Sequence, residues 1–193
     1  MLLLQIQKIT ENNPYGWEIF WFNILCSIIA SLIFLFIVLI WFKPKIRISP
    51  FICKAKSKFD DTQFSYFIKM VNVSIFSAYD LKFELNLLQR YSVPPTGSMN
   101  VRTTPLKVVQ SHLSHINPYR PYWWRKEASH AFRFRSIEDL TSIITDEFKS
   151  VEIQITVKHG LTGLTKVYKQ EYSDVSQIKI GNFTYGTKFA VMQ

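Results

Sequence analysis

Cysteine is scarce in this sequence, and its two copies are placed where they cannot form a disulfide framework. Of the 193 residues, only Cys26 and Cys53 are cysteines. Cys26 lies inside a long apolar run and Cys53 follows that run, so the two thiols cannot pair. A domain without disulfides suits a reducing compartment such as the cytoplasm. The chain therefore does not read as one of the small secreted proteins that disulfides hold together.

Sequence motifs of the common enzyme classes are also missing. The chain has no nucleophile elbow, no P-loop, no dinucleotide-binding glycine fingerprint and no zinc-protease motif. Its acidic residues are scattered along the sequence. His112 and His115 are three residues apart, a spacing that suits a metal ion only if a third ligand joins them. We therefore predict a protein that is not an enzyme and holds no cofactor or metal ion.

Charge, proline and glycine are absent from residues 19–42. A helix of this length is roughly 36 Å long, enough to cross a hydrocarbon core of about 30 Å. Trp17 and Trp21 lie near one end and Trp41 near the other, as in the aromatic belts of membrane helices. A buried core helix is rarely apolar on every face, and a cleaved signal peptide has a shorter run behind a basic segment. The sequence therefore predicts a transmembrane helix over residues 19–42.

The charges that flank this run predict its orientation. Residues 1–18 carry one lysine and two glutamates, whereas residues 43–58 carry six basic residues and no acid. Positively charged flanks stay on the cytoplasmic side. We predict that residues 1–18 are extracytoplasmic and that the chain after residue 42 lies in the cytoplasm, at the inner face of the plasma membrane. Ser27, Ala30 and Ser31 are small enough to let two such helices approach closely, which predicts self-association.

The remaining 151 or so residues make one ordinary domain, with a basic juxtamembrane segment over 43–58 and a main body over 59–193. Apolar residues alternate with polar ones, first at Ile46 and Ile48 and then along about eight short strands. These strands cover residues 63–73, 79–87, 106–110, 131–135, 151–157, 164–172, 177–180 and 187–191. Residues 92–105 are predicted to be loop, because they contain three prolines and a glycine. We predict a mainly-β domain, an immunoglobulin-like sandwich or barrel, with antiparallel strands.

One short helix is predicted inside this β domain. Ser136 and Asp139 have the spacing of a capping box, with aspartate in place of the usual glutamate or glutamine. The apolar stripe that follows continues to Phe148 and has helical spacing. The pattern predicts a surface helix of about three turns that opens at Ser136.

The charge of the domain predicts anionic partners. The first 42 residues hold one of the 23 basic residues and two of the 14 acidic ones, so the rest carries a net charge of about +10. Beside a membrane helix, the anionic inner leaflet is the simplest partner. Lys43, Lys45 and Arg47 are the basic residues closest to the membrane. No motif for sequence-specific nucleic-acid recognition is present.

A cluster of aromatic and basic residues is the most unusual feature of the domain. Three interpretations are open: aromatic rings at headgroup depth with cations on lipid phosphates, a nucleotide base stacked on the rings, or a loop that packs over the core. The residues concerned are Tyr119, Arg120, Tyr122, Trp123, Trp124, Arg125 and Lys126.

Two stretches resemble the cytoplasmic immunoglobulin-like sandwich of inward-rectifier potassium channels. Residues 67–72 and 81–88 are similar to the paired strands that follow the inner helix in that family. Residues 151–155 and 162–165, followed by Tyr172, Ile178, Gly181 and Phe183, are similar to its late hairpin and the segment after it. The order of helix and then sandwich also matches.

This resemblance implies a cytoplasmic domain that binds a ligand or oligomerises, and it does not imply a potassium channel. The chain has no pore helix and no Thr-Val-Gly-Tyr-Gly filter, whose carbonyl oxygens would replace the hydration shell of potassium. In that family, basic residues near the membrane bind anionic lipid. Lys43, Lys45 and Arg47 match those residues by charge and location.

These observations predict a single-pass, non-enzymatic interaction or sensing protein that self-associates through its membrane helix. Two alternatives come from analogy of architecture. One is a membrane-disrupting, pore-forming effector of a bacterial antiviral defence system. The other is an accessory subunit of a larger membrane complex. Independently of these alternatives, a protein partner and a nucleotide are candidate ligands of the domain.

Overall fold

An apolar helix, α1 (Gly16–Trp41), forms the N-terminal part of the chain in a computed structural model. The structure describes residues 16–41, 45–56, 64–94, 97–119, 128–159 and 163–192. An 18-residue stretch within Gly16–Ile40 has a mean hydropathy of 2.8, and the helix is long and apolar enough to span a membrane. Ser27 and Ser31 donate hydrogen bonds to the carbonyls of Asn23 and Ser27, at 2.9 and 2.8 Å. The predicted apolar helix is confirmed, and it begins three residues earlier than predicted.

The chain divides into two compact units, Met1–Phe42 and Lys43–Gln193. The second unit is mainly β and contains one short helix, α2 (Leu140–Ile144), as predicted. Its strands in the described residues are β1 (Ile46–Ile48), β2 (Ile52–Lys56), β3 (Phe64–Asn72), β4 (Ala78–Val93), β5 (Ser98–Leu106), β6 (His112–Ile116), β7 (Ala131–Ser136), β8 (Lys149–His159), β9 (Thr165–Tyr172), β10 (Ile178–Ile180), β11 (Asn182–Phe183) and β12 (Val191–Met192).

Sheet I is built around β3. One edge of β3 pairs with β7, and the other edge pairs with β2 and then with β1. These pairs are antiparallel, but β10 joins the far side of β2 in parallel register, with Ile178 opposite Ile52. This parallel pair differs from the prediction that all strands are antiparallel. After β9 the chain passes through a 3-10 turn at Val175–Gln177, and β10 then runs in the same direction as β2. The two-stranded hairpin of β11 and β12 follows β10.

Sheet II is built around β4. One edge of β4 pairs with β8, and the other pairs with β6 and then with β5. Strand β9 continues the sheet beyond β8. Every second residue of β8 is buried from Val151 to Val157, as expected of a strand with one face on the core.

The core lies between the two sheets. The Phe83 ring of sheet II stacks on Phe132 and Phe134 of sheet I, with ring centroids 5.7 and 5.2 Å apart. Tyr172 is fully buried, and its hydroxyl donates a hydrogen bond of 2.6 Å to the carbonyl of Ser49. Each such buried large side chain stabilises the fold by about 1.5–3 kcal/mol. The cationic side chains of sheet I must therefore project mainly from its other face.

The helix predicted to open at Ser136 is shorter than expected. Ser136 is instead the last residue of β7, where it lies opposite Tyr66, and its hydroxyl donates to the carbonyl of Lys107. Asp139 caps α2 by accepting a hydrogen bond from the backbone of Thr141, and the Tyr66 hydroxyl also donates to Asp139. Phe148 is 59% exposed, so it does not belong to a buried helical stripe. The sheet therefore outcompetes the first turn of the predicted helix.

The loop predicted over residues 92–105 is largely a β-hairpin. Strand β4 runs on to Val93, and β5 begins at Ser98. Pro105 lies in β5 opposite Asn86. Within the described residues β5 pairs with β4 alone, and an edge strand tolerates a residue that has no N–H group. Proline content was therefore a poor guide to loop structure here.

The smaller predictions have mixed outcomes. The predicted strand over 106–110 is reduced to the end of β5 and a bridge between Val108 and Ser136. The predicted last strand over 187–191 is wrong, because the strand in this region, β12, covers only Val191–Met192. The predicted hairpin turn over 160–163 lies mostly outside the described residues, although Gly163 has the positive φ of 68° that favours glycine in a turn.

Candidate functional site

The two sheets differ in charge. The five strands of sheet I carry seven basic residues and no acidic residue. The strands of sheet II also carry seven basic residues, but four acidic residues accompany them. In sheet II some of these charges pair, as in the ion pair between Lys169 and Glu152 at 3.2 Å. The positive charge of sheet I has no such compensation within its strands.

Five of these basic residues lie on the face of sheet I that points away from the core, and we call this set the cationic face. Along β3 the core residues are Tyr66, Ile68 and Met70, so the residues between them point outward. The register then places the outward residues of the neighbouring strands beside them. The cationic face consists of Arg47, Lys69, Arg133, Arg135 and Lys179.

Lys69 is the exception among these cations, because its side chain is only 2% exposed. Its Nζ donates hydrogen bonds to the carbonyls of Thr184 and Lys188, at 2.7 and 2.8 Å. These carbonyls belong to the turn between β11 and β12, which covers this part of the sheet. Burial, and then the nearby Arg133 guanidinium, lower the pKa of Lys69 from its ordinary 10.5 to about 8. Lys69 is therefore mostly charged at neutral pH, in a place where the charge is costly.

A cleft of about 100 Å³ opens beside Lys69. Arg133 and Ala131 line it from β7, and Thr184, Tyr185 and Gly186 line it from the turn after β11. Arg133 is exposed, and within the described residues its guanidinium has no hydrogen-bond or ion-pair partner. The cleft thus combines two cations with a backbone turn.

Two other titratable groups near Lys69, Cys53 and His130, add no charge to the cleft at neutral pH. Burial raises the pKa of the Cys53 thiol to about 11, so the thiol stays protonated. Burial, and then the charge of Lys69, lower the pKa of His130, so its imidazole stays neutral. The electrostatic character of the cleft is therefore set by Lys69 and Arg133, and it favours an anion.

The predicted lipid-contact residues are only partly described by the structure. Lys45 is exposed, and its carbonyl accepts a hydrogen bond from the backbone of Val73. Arg47 lies in the cationic face, with its guanidinium 5.7 Å from the Phe189 ring. Tyr119 is 38% exposed and lies edge-on to His130, with ring centroids 5.4 Å apart. Lys43, Arg120, Tyr122, Trp123, Trp124, Arg125 and Lys126 lie outside the described residues.

The predicted self-association residues lie close together on α1. Ser27 and Ser31 are four residues apart on one face, with Ala30 beside them. All three side chains are exposed in the single chain. Both O–H donors are used within the helix, so these residues offer a neighbour their small size and no free O–H donor.

His112 and His115 do not form a metal site together. Both lie on β6, where residues three apart point to opposite faces of the sheet. His112 Nε2 lies 3.0 Å from Asp80 Oδ1, and His115 stacks on Tyr79 with ring centroids 6.1 Å apart. Among the described residues no group of three histidine, cysteine or acidic side chains is arranged to hold a metal ion.

Sequence reasoning missed the most distinctive residues of the site, Lys69 and Arg133, as well as Arg135 and Lys179. The alternation of phenylalanine and arginine in β7 predicted a strand but did not indicate that this strand pairs with β3. One signal was present in the sequence: none of the segments that form sheet I contains an acidic residue. That signal is visible only after the strands have been assigned to one sheet.

No family model matches this chain, and no curated protein matches it. Among solved structures, a crystal structure assigned to the ApaA protein of Bordetella pertussis is similar over 67% of this chain and 91% of that chain, with 10% identity and a TM-score of 0.36. The sporulation control protein Spo0M of Bacillus subtilis is similar over 70% of this chain and 49% of that chain, with 9% identity and a TM-score of 0.36. A structural genomics target, SoR45, is similar over 75% of this chain and 95% of that chain, with 10% identity and a TM-score of 0.32.

Proposed function

We propose that this chain is a membrane-anchored, non-enzymatic interaction or sensing module whose cationic face binds anionic groups at the membrane surface. The observation that carries the proposal is the charge of sheet I, whose strands hold seven basic residues and no acid. An anionic surface would compensate this charge.

The helix supplies the anchor in this proposal. An apolar segment of this length partitions into a bilayer, and four residues separate its last residue, Trp41, from β1. An anchored domain therefore stays near the lipid headgroups. Each lysine or arginine close to an anionic membrane surface contributes about 1 kcal/mol of attraction. Several cations on one face, acting together, are enough to orient the domain.

The charge difference across the helix supports placing the domain in the cytoplasm. The basic segment over 43–58 follows the helix, and the shorter N-terminal flank is poor in basic residues. The inner leaflet is also the anionic one.

The proposal is tested by measuring how much of the full chain, held in neutral nanodiscs, binds to liposomes. Liposomes that contain phosphatidylserine should capture these nanodiscs, and phosphatidylcholine liposomes should not. Equal capture by both liposomes would overturn the proposal.

Self-association through α1 is the second part of the proposal. Because the hydroxyls of Ser27 and Ser31 bond to their own helix, close approach depends on the small size of these side chains. A Ser27→Leu, Ser31→Leu double variant should therefore lose its discrete oligomer in detergent. Light scattering with the detergent contribution subtracted measures the mass of the complex.

The matched control for this variant is Ser27→Ala with Ser31→Ala, which removes the hydroxyls but keeps the side chains small. It should retain the oligomer. A monomeric wild-type chain would contradict self-association and favour an accessory subunit, which would co-purify with a fixed partner. An oligomer that makes liposomes permeable would favour the membrane-disrupting effector.

The resemblance to the cytoplasmic sandwich of inward-rectifier potassium channels agrees with this proposal in one respect. That resemblance implies a sandwich that oligomerises or binds a ligand beneath a membrane. Here Arg47 of the juxtamembrane segment lies on the cationic face, beside the Phe189 ring.

A further inference from the structure

Lys69 and Arg133 form a pair of like charges directly opposite each other on neighbouring strands. The register of β3 and β7 makes them cross-strand partners. Side chains in such pairs lie about 4.5–5.5 Å apart at Cβ, and like charges there are destabilising. Burial of Lys69 increases this cost, because low polarity strengthens repulsion. The fold therefore maintains an unfavourable pair at this position.

The described surroundings do not neutralise the pair. Among the described residues, the titratable groups that shift the pKa of Lys69 are Arg133 and the Cys53 thiol, and neither is a carboxylate. An ammonium group has three N–H donors, and the carbonyls of Thr184 and Lys188 take two of them. One N–H donor of Lys69 and the guanidinium donors of Arg133 are therefore available to a group that binds in the cleft.

The volume of the cleft limits the size of the group that binds between Lys69 and Arg133. Its volume of about 100 Å³ has room for a single tetrahedral oxyanion, and the cleft is open to solvent, so the rest of a larger molecule would extend outside it. The guanidinium of arginine matches phosphate oxygens in a two-pronged arrangement, and the ammonium of lysine acts as a point charge beside them.

We propose that the cleft between Lys69, Arg133 and the Thr184–Gly186 turn binds the terminal phosphate of a phosphomonoester. A terminal phosphate carries about two negative charges at neutral pH, which balances the two cations. The inference deepens the proposed function by naming the chemical group that the cationic face selects, and it rests on that function for its membrane setting. The phosphate comes either from solution or from a lipid headgroup that ends in a phosphate.

The test is a calorimetric titration of inorganic phosphate into the full chain in phosphatidylcholine nanodiscs, with ionic strength held constant by chloride. The wild-type chain should bind phosphate, and Arg133→Gln should weaken the binding about tenfold or more, because hydrogen bonds to charged groups are lost. Arg133 is exposed, so this variant should fold. Lys179→Gln removes a charge from the same face outside the cleft and should change the affinity less than twofold.

Two results would overturn the site: no binding of phosphate to the wild-type chain, or equal weakening in Arg133→Gln and Lys179→Gln. Lys69→Met gives a second check, since a folded chain with this change should also lose binding. Nanodiscs that contain phosphatidic acid distinguish the sources of phosphate. Competition by this lipid indicates a headgroup as ligand, and unchanged phosphate binding indicates a soluble ligand, with the site upheld in both cases.

Failure of the site and failure of the proposed function give different results. If the site alone is wrong, phosphatidylserine liposomes still capture the chain, but phosphate does not bind. If the membrane function alone is wrong, phosphate binds with the expected dependence on Arg133, but anionic liposomes capture no more chain than neutral ones.

Discussion

Replacement of Arg47, Arg133, Arg135 and Lys179 by glutamine is expected to weaken capture of the full chain by anionic liposomes by a factor of about 1000 at low salt. Each cation near an anionic surface contributes about 1 kcal/mol, and about 4 kcal/mol corresponds to three powers of ten in affinity. Lys69 is left unchanged because it supports the turn after β11. The measurement is the fraction of nanodiscs that sediments with sucrose-loaded phosphatidylserine liposomes.

The matched control removes four cations from sheet II, by changing Lys82, Arg102, Lys158 and Lys166 to glutamine. These side chains are exposed, and the control loses as many positive charges as the first variant does. It should reduce capture by less than about tenfold, through the general effect of net charge. Equal losses in the two variants would show that total charge, and not the cationic face, attracts the membrane.

An Asn72→Ala variant is expected to lose about 3–5 kcal/mol of unfolding free energy. Asn72 is fully buried at the end of β3. Its side-chain nitrogen donates to the carbonyls of Phe76 and Asn117, at 2.9 and 3.0 Å, and its oxygen accepts from the backbone and hydroxyl of Ser74. Removal of the amide takes these bonds from the Asn117 carbonyl and the Ser74 N–H, each at a cost of about 1–3 kcal/mol, whereas the Phe76 carbonyl and the Ser74 hydroxyl keep the bond between them.

Asn72 also connects the site to the rest of the fold. Its backbone N–H donates to the carbonyl of His130, immediately before β7, and so holds β7 in register with β3. Urea unfolding of the full chain in detergent measures the loss of stability, and Asn86→Ala serves as the control. Asn86 lies half-buried on β4, and its change should cost less than about 1 kcal/mol. A loss below 1 kcal/mol for Asn72→Ala would contradict this account of the β3 end.

The period of the apolar residues was enough to predict most of the strands. Residues 79–87 and 151–157 alternate strictly, and they became β4 and β8, the paired centre of sheet II. Local signals failed where a long-range contact competed with them. Ser136 carried a helix-start pattern, but pairing with Tyr66 keeps it in β7. Prolines between 92 and 105 indicated loop, but the hairpin of β4 and β5 accommodates Pro105 at an edge.

The site itself was beyond sequence reasoning for a physical reason. Lys69 and Arg133 are 64 positions apart in the sequence, and they become neighbours only through the register of β3 and β7. The burial of Lys69 depends on a third segment, the turn from Thr184 to Lys188, which is later still in the chain. Alternation predicts which residues share a face of one strand. It does not predict which strands lie side by side.

Hydrogen exchange of the full chain shows which strands contact anionic lipid, when phosphatidylcholine nanodiscs are compared with nanodiscs that also contain phosphatidylserine. If the cationic face binds anionic headgroups, exchange should slow in β7 and in the turn between β11 and β12 when the anionic lipid is present. The amides of β5 and β9 in sheet II should exchange at unchanged rates. Protection of sheet II in place of these segments, or identical exchange in both kinds of nanodisc, would contradict the account.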